Sequence, residues 1–347
     1  MAFTDDWLAL TTEETLEPDL KICDPHHHLW DAGFDPSAKF RSEQVEGRYL
    51  FDEILAEVNS GHNVTSTVFI ECMSMYRADG LAHLRPVGET EFVNGIAAMS
   101  ASGRYGPCRI AAGIVGLTDM NLGSGAREVL EAHISAGAGR FRGIRHAASW
   151  DASDDIRNSH TKPTQHMLAD AKFREGIAQL APLNLSFEAW CYHPQIPDAT
   201  DLAQAFPDTT IILNHFGGPL GIGPYAGKRE ETFAQWRLDI SNLAKCQNVV
   251  AKLGGINMRV NGFDWDLGEK PPSSEELAAA TRAYYDHCIE VFGPDRCMFE
   301  SNFPVDKRTC SYNVLWNTFK RIASGCSSSE KAALFHDTAA RVYRLDS

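Results

Sequence analysis

Three consecutive histidines, His26-His27-His28, end an apolar run that begins near Leu20. Alternate side chains of an extended strand share a face, so His26 and His28 project together and His27 turns toward the barrel wall. Two imidazoles on one face are half of a divalent-metal site; hydrogen-bonded histidines at a polar strand end are the plain alternative. His215 ends another apolar run, Ile211-Ile212-Leu213-Asn214, and leads into Gly217-Gly218, where backbone can come close to a ligand. Arg145 and His146 stand together at the end of a third run. A guanidinium there can hold a carboxylate by two hydrogen bonds, or it can pair internally with Glu71, Glu188 or Glu300. Tyr192 and His193 are placed to bind or polarise a substrate, unless His193-Pro194 only closes a turn. Lys252 reads as the structural partner of an acidic neighbour.

These residues need elements to bring them together, and the chain supplies a repeating pattern. Short apolar, β-branched runs alternate with longer helical ones. Strands are expected at Leu20–His28, Val64–Cys72, Ile110–Gly116, Phe141–Ala147, Leu185–Tyr192, Thr210–His215, Val249–Leu253 and Cys297–Glu300. The clearest helices are Gly88–Ser102, Ala171–Ala181, Glu230–Lys245 and Glu275–Phe292, with Asp170 and Ser273 as N-caps. Eight strand-helix units predict an α/β (β/α)8 TIM barrel rather than an open sheet, and no GxGxxG opens a helix after an early strand. The strand ends carry the polar groups, among them Glu71, Arg145, His215 and Glu300-Ser301-Asn302, and catalytic residues of such barrels come from the C-terminal ends of several strands. Residues 1–19 read as an N-terminal extension and 20–347 as one barrel domain. Long βα loops are expected at Asp31–Arg48, Ser149–Met167, Gly217–Arg229 and Asn257–Ser274, and their Trp150, Tyr225, Phe263 and Trp265 are candidates to wall a pocket.

Composition narrows the partners. The 347 residues carry a formal charge of −14 and are 44% hydrophobic. An acidic chain repels nucleic acid and anionic membranes, so a small molecule is the expected partner. Met1–Leu20 has neither a basic nor an apolar signal region, and no run reaches the roughly 18 apolar residues of a membrane span. The nine cysteines include no CxxC pair, and several sit inside apolar runs, which points to buried free thiols and a cytoplasmic protein. A homo-oligomer is compatible with all of this.

The segment Asp24-Pro25-His26-His27-His28-Leu29-Trp30-Asp31 resembles the opening D-x-H-x-H-x-W-D motif of the amidohydrolase-related family, in its lactonase-like branch. That branch includes the 2-pyrone-4,6-dicarboxylate lactonases, fuconolactonases and sulfomuconolactone hydrolases. Phe141–His146, Leu213–Pro219, Phe299–Pro304 and the tail Phe335–Leu345 continue the resemblance, which runs from about Ile22 to the C-terminus. It implies hydrolytic opening of a lactone, often a carboxylated one, with His26, His28 and His215 as the site core. Arg145 would bind a substrate carboxylate, and Glu71, His146, Tyr192 and His193 would complete the substrate site. The same three histidines would hold one divalent metal, zinc first, although the branch also includes members that work without metal. In one place the chain departs from the family. Where the family has G-S-D-x-P, this chain has Ser301-Asn302-Phe303-Pro304. A carboxamide is no base near neutral pH but can orient water, so Asp306, Glu300 and His215 become candidates for a displaced base. Asp306, four residues beyond Asn302, is expected in the loop and at a different depth.

The expected function is therefore attack of water on a polarised carbonyl of a small, anionic, carboxylated cyclic ester. Non-oxidative decarboxylation and amide or C–C hydrolysis on the same barrel are the alternatives, followed by a non-catalytic binding barrel.

Overall fold

A computed structural model describes residues 5–31 and 47–345; most of the Asp31–Arg48 loop thus lies outside the described residues. Eight parallel strands form a nearly closed TIM barrel: β1 (Lys21–His27), β2 (Asn63–Ile70), β3 (Arg109–Gly116), β4 (Phe141–Arg145), β5 (Ser186–Ala189), β6 (Ile211–Leu213), β7 (Val249–Leu253) and β8 (Cys297–Phe299). Each pairs with the next in chain order. The seam between β8 and β1 closes beyond the last ladder residue of β8. There the His28 amide donates to the Phe303 carbonyl at 2.8 Å, and the Asn302 amide to the His26 carbonyl at 2.9 Å.

A helix follows every strand, from Phe51–Val58 after β1 to Tyr312–Ile322 after β8. Their apolar faces show why. In Phe51–Val58 the buried residues are Phe51, Ile54 and Val58, a one-sided helical stripe. Ser273 forms a capping box with Glu276, and the Asp170 carboxylate accepts from the amides of Lys172 and Phe173, so both expected N-caps are present. The helix expected over Ala171–Ala181 stops at Ile177 and gives way to a short turn over Ala181–Leu183. Pro182 has no amide hydrogen for another helical bond. The strands expected to reach Cys72 and Tyr192 end at Ile70 and Ala189.

The main core lies between strands and helices, around buried side chains such as Trp236, Trp316, Phe173 and Phe299. A second apolar layer fills the barrel interior: Cys23, Val68, Val115, Ile212, Val250 and Met298. The C-terminal segment seals it with Ala339, Val342 and Tyr343. Strand alternation then puts Glu188, Lys252, Glu300, Asn214 and Arg145 on the same inward face, one step nearer the C-terminal mouth. The segment before β1 crosses the outside, where Glu13 accepts from Ser274 and Asn317, and Lys320 donates to the carbonyls of Leu16 and Glu17. All nine cysteines are unpaired, seven of them buried. Among the described residues no helix is long and apolar enough to cross a membrane.

Candidate active site

At the C-terminal ends of the strands lies a cavity of about 230 Å3, floored by His28, His215, Arg145 and Asn302. His26 is fully buried just beneath them. The tautomers of the pair on β1 follow from their neighbours. His28 Nδ1 lies 2.8 Å from the Ile70 carbonyl, which can only accept. Nδ1 therefore carries the hydrogen and Nε2 presents a lone pair. His26 Nε2 is approached at 3.3 Å by Arg145 Nη1, which can only donate, so this nitrogen also presents its lone pair. The two Nε2 atoms stand 3.3 Å apart. Lone pairs facing each other at that distance need positive charge beside them. Burial, with the Lys252 and Arg145 cations near His26 and Arg145 near His28, pushes both imidazoles well below their usual pKa.

His215 joins them from the end of β6, its ring centroid 4.5 Å from that of His26. Its Nδ1 lies 2.7 Å from Glu300 Oε1, while Glu300 Oε2 lies 2.6 Å from His26 Nδ1. That second oxygen is buried without a hydrogen bond of good geometry. Burial raises the Glu300 carboxyl to about 8. His26, His215 and Glu300 each place one donor atom within 4.8 Å of the others. Together with His28 Nε2, 3.3 Å from His26 Nε2, this nitrogen and carboxylate set suits a divalent transition metal. The glycines after β7 allow the crowding: a Cβ on Gly255, whose φ is +70°, would come within 2.4 Å of His215 Nδ1.

Arg145 combines the two roles open to it. Its Nε donates to Glu71 Oε1 at 2.7 Å and its Nη2 to the Glu71 carbonyl at 2.5 Å, leaving Nη1 toward His26 and the cavity. Burial pushes the Glu71 carboxyl up, but Arg145 and His160 outweigh it and leave it well below the usual range. Glu71 therefore anchors the guanidinium and does not line the cavity. Lys252 is fully buried against Glu188 at 2.9 Å, the structural pairing expected of it.

The remaining sequence candidates divide. Tyr192 lines the cavity, but its hydroxyl donates to the Arg157 carbonyl at 2.5 Å. His146 and His193 do not line it. His146 faces away from Arg145 by strand alternation and accepts the Met120 amide at 3.0 Å. His193 accepts the Leu220 amide at 3.2 Å and meets the Tyr225 ring edge-on. Both are kept neutral by burial, with values lowered to about 4. Asp306 sits in the loop after β8, in the short turn Asp306–Arg308, and lies against Asn302. The chain turns back through an Asp306 amide bond to the Asn302 carbonyl, and Asn302 Nδ2 donates to the buried Asp306 carboxyl at 3.0 Å. Burial pushes that acid well above its usual range, and its place outside the cavity lining argues against it as the base.

Trp150, Tyr225, Phe263 and Trp265 do not line the cavity; Phe263 and Trp265 stack on each other at 5.7 Å. The loops contribute Arg157, His160, Arg259 and Arg308 instead. Charge in the long loops marks Arg157, His160 and Arg259, whereas Arg308 lies in the short turn Asp306–Arg308 after β8. Trp190, edge-on to His215 at 4.9 Å, follows from period-two alternation with Glu188 and Tyr192. Glu300 stands in the sequence beside Asn302, but nothing in the spacing marks it as a donor shared with two histidines.

Eight parallel strands carrying this cluster at their C-terminal ends define a TIM-barrel enzyme of the amidohydrolase superfamily. Comparison with known proteins gives the family directly: the amidohydrolase family model matches residues 23–345, and the chain belongs to that family. It is 33% identical over 337 residues to an uncharacterized protein, y4mH, of Sinorhizobium fredii, covering 94% of this chain and 99% of that one. It is 30% identical over 239 residues to an L-fucono-1,5-lactonase of Burkholderia multivorans, covering 68% of this chain and 72% of the relative. A crystal structure of a Burkholderia multivorans amidohydrolase with bound zinc shares the fold at TM-score 0.68 and 24% identity, covering 94% of this chain and 99% of that one.

Proposed function

We propose that this hydrolase opens a lactone of a small carboxylated metabolite by attack of water on the ring carbonyl. The observation that carries the reading is the convergence of His28, His215 and Arg145 on the floor of one cavity whose walls hold Arg157, Arg259 and Arg308. Such a wall favours an anionic substrate. Asp266, bonded to Arg259 at 2.7 Å, tempers that charge and fixes the Arg259 side chain. The similarity to an L-fucono-1,5-lactonase supports a cyclic ester.

His26, His28 and His215, with Glu300, are the residues that would hold a divalent ion, zinc in the first instance. A bound ion would act as a Lewis acid on the carbonyl. Arg145 Nη1 faces the same region and offers positive charge to the developing oxyanion. Asn302 has its Nδ2 engaged by Asp306, so its Oδ1 is the atom left to accept a hydrogen from water. Where no ion occupies its Nε2, His215, steadied through Nδ1 by Glu300, is the cavity-facing group suited to take the proton of the attacking water. Nine unpaired cysteines support a cytoplasmic setting.

The test is turnover of L-fucono-1,5-lactone and a panel of carboxylated lactones by chelator-treated and zinc-supplied protein. Ring opening is expected, with His26→Ala and His215→Ala each losing at least about 100-fold while remaining folded. No lactone turned over, with carbon dioxide released from a matched carboxylic-acid panel, would reassign the reaction.

A further inference from the structure

A buried chain of polar groups links the C-terminal segment to the site from below. Tyr343, fully buried among the apolar residues of the barrel interior, donates its hydroxyl hydrogen to Glu188 Oε1. The other oxygen of Glu188 receives Lys252 Nζ at 2.9 Å and the Asn214 side-chain amide. Lys252 Nζ also sits 5.3 Å from the centre of the Tyr343 ring. On its far side the ammonium lies 3.4 Å from His26 Nδ1 and 3.9 Å from Glu300 Oε2. Glu188, Lys252, His26 and Glu300 are all inaccessible to solvent.

Stability gives weak grounds for this arrangement. A fully buried ion pair loses about as much in desolvation as it gains in attraction, and well-packed apolar residues in its place are often neutral or better. The layer immediately below is such an apolar packing, with Val250 and Met298 one inward step beneath Lys252 and Glu300. The pair interrupts that packing at the one level where it touches the site. Lys252 fills the space behind His26 and Glu300, and Glu188 fixes Lys252. Tyr343 fixes Glu188 from a segment that makes no contact with the cavity.

We propose that Tyr343 is a positioning residue for the reaction, acting through Glu188 and Lys252 to hold the His26 ring and the Glu300 carboxylate in register. Tyr343 reaches no substrate atom, so its removal leaves binding intact and lowers the chemical step. The turnover part of this inference rests on the lactonase reading; the geometric part does not.

The experiment compares Tyr343→Phe, which removes one oxygen atom, with Val342→Ala, which loosens the same segment without touching the chain of polar groups. One readout is long-range 1H–15N spectroscopy of protein labelled with 15N-histidine, with His133, held between Thr90 and Leu117, as internal reference. Tyr343→Phe is expected to shift the His26 ring nitrogens and leave those of His133 in place; Val342→Ala is expected to shift neither. The other readout is kinetics on whichever lactone the wild type opens: kcat at least tenfold lower in Tyr343→Phe with KM within twofold, and unchanged kcat in Val342→Ala. Glu188→Gln, expected to act as Tyr343→Phe does, replaces it if the latter does not fold. Unmoved His26 resonances, or a kcat loss matched by Val342→Ala, would overturn the inference. If the wild type opens no lactone, the lactonase reading fails and the spectra alone decide the positioning role.

Discussion

Gly255→Ala is the sharpest test of how the site is assembled. The residue has φ +70°, and an added Cβ would stand 2.4 Å from His215 Nδ1 and 2.7 Å from its Cγ. Ordinary contact begins near 3.4 Å, so the imidazole has to retreat by about 1 Å. Nδ1 now lies 2.7 Å from Glu300 Oε1, and a shift of about 1 Å in the ring takes that pair out of its present hydrogen-bond geometry. A side chain in the left-handed region costs about 1–2 kcal/mol, and overpacking about 1–3 kcal/mol more. The expected loss of stability is therefore about 2–5 kcal/mol. A displacement of this size in a reacting group is worth about 100-fold in turnover. Gly139→Ala supplies the control, because Gly139 has φ +84° and nothing within 4 Å of the added atom. It should show the backbone cost alone. Urea unfolding of both variants, followed by turnover on an opened lactone, makes the comparison. If Gly255→Ala is no less stable than Gly139→Ala and turns over normally, the backbone after β7 does not press on His215 and the reasoning is wrong.

Three further outcomes are expected. Glu71→Ala strands the Arg145 guanidinium in the interior and should cost about 3–5 kcal/mol in urea unfolding, with Arg145 no longer anchored. Asn302→Asp sets a second carboxyl group about 3 Å from Asp306, so the pair shares one proton and stability should fall as rising pH ionises both, a repulsion of about 5 kcal/mol at an effective dielectric of 20; the exchange Asn302→Asp with Asp306→Asn should remove that added pH dependence in the same unfolding assay. His133, buried and lowered to about 4, stays neutral in the folded protein while the unfolded chain takes up a proton below its ordinary value of 6.5. Its contribution is therefore present above about pH 6.5 and is lost on acidification, by about 2 kcal/mol at pH 5. His133→Gln should flatten the fall in stability between pH 7 and pH 5 by that amount, as read from unfolding free energies at the two pH values.

Much of the architecture is legible in the sequence because each strand is a short apolar run and each run ends in a polar residue. Val249–Leu253 is found at its exact limits, since both of its faces are buried and its neighbours are polar or glycine. The ends of β2 and β5 are overextended because apolar residues such as Cys72 and Cys191 continue past the last ladder bond. The pairing of His26 with His28 follows from alternation on one strand, and His215 from its place at a strand end. What eludes the sequence is anything fixed by two distant strands. Arg145 could pair with three different glutamates, and only the register of the barrel chooses Glu71. His146 and His193 look like neighbours of the site in sequence, yet each turns to cap a backbone amide. Asp306 looks remote and is instead the fixed support of Asn302.

The strands β1 and β8 are joined through the amides of His28 and Asn302, which belong to the cavity floor itself. Opening the cylinder and dismantling the reactive centre are thus one event. Hydrogen exchange at these two amides should slow together when a ligand occupies the cavity. Evolution faces the same linkage: loops elsewhere around the rim can lengthen or shorten to suit new ligands, but an insertion between Glu300 and Asp306 would unfasten the barrel as it altered the chemistry.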